Sequence, residues 1–280
     1  MRQIQHPGPV ALQRSAAVAG SPVPLRFRMD PGLSVDAAVA KGFADAGCAG
    51  GIVFFQGGRF EPFRYVMPAA SADPRYAAWY SETYEPEGPV TIVRAAAIVG
   101  VRDGGPFLHC HGIWDTAEGH RAGHMLAPMT SVAQAAEVSG IGFRSATFQA
   151  MPDSETNFTL FEPVQKAGVG DGALLAKVRP NEDITLAVEE ICSRHGITSA
   201  RVHGIGSLNG VRFVDGTEVP SYATEVLIRQ GSVRTVDGRP QARLDIDVVD
   251  MDGGIFSGEL VRGDNPVCVT FELVIEAVAD

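Results

Sequence analysis

Four of the seven histidines fall between Phe107 and Leu126: His109, His111, His120 and His124. Apolar residues flank the first pair, Phe107 and Leu108 before it and Ile113 and Trp114 after it, which predicts a strand. Alternate side chains of a strand share a face, so His109 and His111 point one way and Cys110 the other. Ala117-Glu118-Gly119 is a turn sequence. An antiparallel return through Ala122-Gly123 would bring His124 to the same face. Three imidazoles meeting there suit zinc or a similar divalent transition metal, with one coordination position open. A His-x-His pair also arises on exposed strands without any ligand, and Cys110 reads as a small buried residue.

The H-x-H pair, the short turn and Gly123-His124-Met125-Leu126 together resemble the signature of the PPC domain, named for its conservation in plants and prokaryotes. The usual pattern there is H-x-H followed by G-G-H-L, with a Glu on a later strand. This chain has Ala122 in place of the first Gly, and Glu137 fits the later acidic position. The resemblance implies a metal held by His109, His111 and His124 in a homotrimer. Glu137 becomes the candidate catalytic or proton-carrying group and His120 a candidate supporting residue.

With 280 residues, the chain has room for two modest domains. A hydrophobic fraction of 45% with 20% charged residues fits a soluble globular protein with a sizeable core. The four scattered cysteines, with no C-x-x-C pair, suggest neither a disulfide framework nor a cysteine zinc site. The expected location is the cytoplasm. No apolar run reaches the roughly 18 residues of a membrane helix, and no continuous apolar core follows Arg2 and Arg14, so neither membrane span nor signal peptide is expected.

Net charge is −10. An acidic chain without a basic run is poorly suited to phosphate contact, so no autonomous tight DNA binding is expected and no nucleic-acid-binding residues are assigned. Plant members of the family pair the domain with basic AT-hooks. The nearest sequence here, Asp237-Gly238-Arg239-Pro240, reads instead as a hairpin turn between two apolar stretches.

Residues 1–24, with four prolines, read as an irregular N-terminal arm. A pattern then begins: an extended Arg26–Met29, a turn at Asp30-Pro31-Gly32, a helix from Ser34 ending at Gly47, and a buried strand from Gly51 to Phe55. It recurs as Leu174–Val178, Arg179-Pro180-Asn181, a helix from Asp183 to Gly196, and a strand from Ala200 to Ile205. Pro31 and Pro180, like Gly47 and Gly196, are 149 residues apart, which indicates an internal duplication. Gly204-Ile205-Gly206-Ser207 also resembles the family's turn sequence. The predicted class is therefore α+β: two similar domains, residues 25–162 and 173–280, each a largely antiparallel sheet packed with helices and joined near Pro163–Gly172.

Glu137 matches Glu272 at an offset of 135, and His124 matches Glu259. With one residue of slack, His109 and His111 fall on Asp245 and Asp247, so the second copy loses its histidines and carries an acidic trio. Those acids need a hard cation or basic neighbours such as Arg243 and Arg262, or they do not converge. The aromatic insert Glu61–Pro89 suits a small-molecule pocket, a subunit interface or packing on its own domain.

Three functions remain open. One is a metal-binding, oligomeric family member with a regulatory or nucleic-acid-associated role. A second is a zinc-dependent enzyme acting on a small molecule, and a third is a structural metal tying subunits together. No Ser-His-Asp order, phosphate loop or H-E-x-x-H selects a reaction.

Overall fold

The computed structural model describes residues 2–168 and 170–278. Met1 of the predicted arm, Val169 of the predicted join and the last two residues of the second domain lie outside them. The architecture is α+β, with two large, mainly antiparallel sheets and one α-helix on each among the described residues. The first sheet runs Val23–Met29, Ala136–Phe143, Gly50–Phe60, Val90–Arg102, Gly105–Thr116, Gly119–Met125. The second repeats that order as Ala173–Val178, Val267–Ala277, Ser199–Leu208, Glu225–Val236, Arg239–Val249, Ile255–Glu259.

Helix α1 (Val35–Asp45) and helix α2 (Ile184–Arg194) follow the first strand of each unit. Asp183 caps α2 through Leu186 N, whereas Ser34 at the start of α1 makes no side-chain cap bond. Gly47 and Gly196, with φ of +65° and +66°, end the two helices in the left-handed conformation that glycine adopts without a Cβ penalty. The central hairpins also match. Asp103-Gly104 and Asp237-Gly238 both have positive φ at both residues, as a two-residue hairpin of this twist requires.

Strand alternation sorts the core into three layers. Ala95, Ala97, Leu108 and Cys110 pack with Val39 and Phe43 of α1. The intervening residues Ile52, Ala96 and Ile98 face the other way and pack against Leu175, Ile205, Leu227 and Val274 of the second unit. The sheets therefore bury each other's helix-free faces. This is why these strands are apolar on both sides rather than alternating with polar residues. Cys110 lies on the α1 side, so His109 and His111 are carried to the interdomain face.

Two predicted boundaries change. The arm is not irregular throughout: Ser15–Gly20 is a strand paired with Ala173–Val178 at the edge of the second sheet. Ile4 also exchanges bonds with Asn181, and Arg2 donates to Asn209. The leading segment thus satisfies the backbone of an otherwise open edge, which the prolines around it did not reveal. The join is shorter than predicted, because Thr159–Gln165 pairs with Ala146–Pro152 as a hairpin of the first sheet. Among the described residues no helix is long and apolar enough to cross a membrane.

Candidate metal centre and its cavity

His109 and His111 stand on Gly105–Thr116, and His124 on Gly119–Met125, directly opposite His111 in the register. On its other side Gly123 lets Tyr65–Val66 pair with this strand: a Cβ there would lie 2.4 Å from the Val66 carbonyl oxygen. One ligand atom from each imidazole lies within 4.8 Å of the others. His109 Nε2 and His111 Nε2 are 2.9 Å apart.

The second domain fixes two of the rings. His109 Nδ1 lies 2.8 Å from Glu272 Oε2, and His111 Nδ1 lies 2.9 Å from the Val226 carbonyl oxygen. With Nδ1–H donating in each, both Nε2 atoms are directed at one point. An imidazole tied through its other nitrogen to a carboxylate or carbonyl is the usual support of a metal ligand. Glu225 Oε2 lies 2.7 Å from His111 Nε2, and His124 Nδ1 is buried without a hydrogen-bond partner. The three imidazoles, two of them oriented through Nδ1, and the orphaned nitrogen of His124 fit a zinc-class ion that displaces the proton Glu225 draws to His111 Nε2.

Burial opposes protonation of His111, but Glu225 and the Val226 carbonyl outweigh it and hold the pKa above the ordinary histidine value. Burial, with His109 and His111 nearby, holds His124 well below that value. Burial pushes Glu272 upward, yet His109, Lys177 and the Thr270 hydroxyl keep it below the usual carboxylate range.

His109, His124, Glu225 and Glu272 line a cavity of about 520 Å³ at the domain boundary. Its walls are mainly apolar and draw on the aromatic insert. Trp79 stacks on Phe158 with ring centroids 5.2 Å apart, and Tyr80 meets His124 edge-on at 5.2 Å. Other insert residues pack inward instead, with Phe63 and Tyr65 against Trp114.

Three sequence assignments are corrected by these positions. Glu137 is exposed, pairs across its strand with Arg28 and lines a different groove with Arg94 and Arg229. The acid facing the histidines is its counterpart Glu272, because the two sheets meet face to face. His120 sits at the exposed hairpin tip, 2.6 Å from Asp115, too far along its strand to support the site.

The acidic trio also changes. Counting from the two Asp-Gly turns, Asp245 occupies the position of His111, and Arg243 that of His109. Asp245 faces Glu259 across the hairpin, while Asp247 faces Ser257. Arginines neutralise the acids: Arg229–Asp245 at 2.6 Å, Arg243–Glu259 at 2.8 Å and Arg94–Asp247 at 3.0 Å. Arg262 pairs with Glu189 instead.

Sequence reasoning missed Glu225 and Glu272 as neighbours of the site. The offset that matched Glu137 to Glu272 contained a signal for the latter. Nothing local marks Glu225.

Residues 165–279 match the model of the Plants and Prokaryotes Conserved (PCC) domain. This is the family called PPC above, and the match lies in the second half of the chain. Solved structures are similar at low identity. A plant- and prokaryote-conserved protein of Pyrococcus horikoshii is 16% identical with a TM-score of 0.42, covering 52% of this chain and 96% of its own. A metal-containing protein of Archaeoglobus fulgidus is also 16% identical, with a TM-score of 0.41, and covers 54% and 99%. A protein of Salmonella enterica is 14% identical with a TM-score of 0.39 and covers 54% and 100%. The search of curated proteins returns no match.

Proposed function

We propose that the chain is a metal-binding protein in which His109, His111 and His124 hold one zinc-class ion, and that the adjoining cavity brings a small organic molecule to it. One observation carries this reading. His109 and His111 are tied through Nδ1 to acceptors of the second domain, leaving their Nε2 atoms 2.9 Å apart. Glu225 and the unpartnered His124 Nδ1 lie beside them.

A bound zinc-class ion would polarise a carbonyl or acidify a water molecule. The chain's own residues set the surroundings. Glu272 orients His109, Glu225 places a carboxylate beside the ligands, and the aromatic insert supplies apolar wall to the cavity. Within this reading, a zinc-dependent reaction on a small molecule is favoured over a regulatory or nucleic-acid-associated role. His109 and His124 open on a mainly apolar cavity, and the chain's charge of −10 opposes phosphate contact.

A homotrimer belongs to the proposal on the strength of the family resemblance, and a cytoplasmic location on the four scattered cysteines without a disulfide framework. Light scattering tests the assembly, and a clear dimer mass rejects it. Elemental analysis of the purified wild type and of His111→Ala tests the metal. About one ion per chain is expected in the first and a large loss in the second; equal metal contents would overturn the reading.

A further inference from the structure

We propose that the cavity binds an aromatic carboxylate lying along Gly105–Thr116, its carboxylate on Arg102 and a neutral oxygen donor at its other end turned to the histidines. The inner end rests on the metal-site reading above; the outer end stands on separate observations.

Charge is segregated along the cavity. Glu225 and Glu272 flank the histidines, and Arg102 is the one Lys or Arg among the lining residues. The two carboxylates offset the charge of an ion held on the histidines, so an anionic group is drawn to Arg102. The guanidinium lies 5.2 Å from the centre of the Phe107 ring. Its ion-pair partner, Asp103, stands 3.6 Å away and is 94% exposed, a contact that water screens and a ligand carboxylate can replace. The planar guanidinium suits two parallel bonds to a carboxylate.

Spacing supplies the length. Phe107 and His109 are alternate residues of one strand, so their side chains share a face with backbone positions about 7 Å apart. One arene over Phe107 bridges that interval. Phe161 meets Phe107 edge-on at 5.6 Å, and Trp79, stacked on Phe158, adds further flat apolar wall. Trp79 is 44% exposed, leaving aromatic surface for a ligand to cover.

The test is calorimetric titration of the full chain with 4-hydroxybenzoate, 4-hydroxyphenylacetate and 4-hydroxycinnamate, each against its neutral amide. Wild type is expected to prefer at least one acid over its amide by about tenfold or more, the scale of a charged hydrogen-bonded pair. Arg102→Gln should bring that ratio close to one with amide affinity unchanged, and Arg102→Lys should restore part of it. The inference is overturned if no acid binds, if acids and amides bind alike to the wild type, or if Arg102→Gln keeps the preference. Repeating the titrations without zinc separates the two readings. Failure of the metal site leaves the acid-to-amide ratio intact, whereas failure of the Arg102 site removes it whether or not zinc is bound.

Discussion

Glu272 Oε2 lies 2.8 Å from His109 Nδ1, although 163 residues separate them. The carboxylate is 1% exposed and takes a second bond from the Thr270 hydroxyl at 2.9 Å. One domain supplies the imidazole, and the other decides which of its nitrogens is free.

Glu272 and Glu137 hold matching places in the two domains, so substituting each should separate position from role. Glu272→Gln is expected to lower zinc affinity by about 10- to 100-fold, the usual effect of losing a carboxylate behind a ligating histidine. Glu137→Gln, on an exposed strand position, should leave it unchanged. Competition titration with a chelator reads both, and equal affinities in the two variants would contradict the assignment.

Zinc binding should weaken as pH falls. His111 is held above the ordinary histidine value, so a proton competes for this ligand from above pH 6.5 downward. His124 is held well below that value and stays available further into acid. Affinity measured between pH 8 and pH 5 should therefore begin to fall above pH 6.5. A profile flat down to pH 5.5 would exclude His111 as a ligand.

The metal-free protein adds a stability signature with two signs. The raised pKa of His111 stabilises the fold fully below the unfolded value of 6.5, and this is lost as pH rises through the higher folded value. The depressed pKa of His124 acts oppositely: its unfolded form takes up a proton below pH 6.5 while the folded form does not, so stability falls with acid. Denaturant titrations of His111→Ala should lose the first dependence and keep the second.

Ile98 is fully buried where the two sheets meet. Ile98→Ala should destabilise the protein by about 2–5 kcal/mol through lost transfer energy and the cavity left behind. Because both domains share that core, a single unfolding transition is expected to move to lower temperature. Calorimetry showing a shift in one domain alone would count against the shared core.

DNA offers a test of the alternative role. No submicromolar affinity with a steep salt slope is expected, since few cationic contacts are available to release counterions. A fluorescence titration across salt concentrations would show such a slope if the alternative were correct.

Much was legible in the sequence because it depends on local periodicity. Alternation along residues 107–111 put both histidines on one face and Cys110 on the other. The Asp-Gly turns and the helix-ending glycines marked two copies of one pattern, since each demands a backbone conformation that few other residues adopt. The return of His124 followed from the short turn after the strand.

Tertiary structure decided which acid serves the site. Periodicity says which face a residue occupies, but not what is packed against that face. Glu137 and Glu272 have matching places in the pattern, and only the packing of one sheet on the other buries Glu272 beside His109 and leaves Glu137 exposed. Glu225 enters the cavity for the same reason, by proximity across domains that no local spacing records. The register of the second hairpin also had to be counted from its turn, because a slip of two residues keeps every side chain on the same face and leaves the hydrophobic pattern unchanged. Thus the sequence by itself determined the repeated strand–turn–helix pattern and the histidine face, whereas long-range packing determined the edge strand Ser15–Gly20 and the chemistry that face meets.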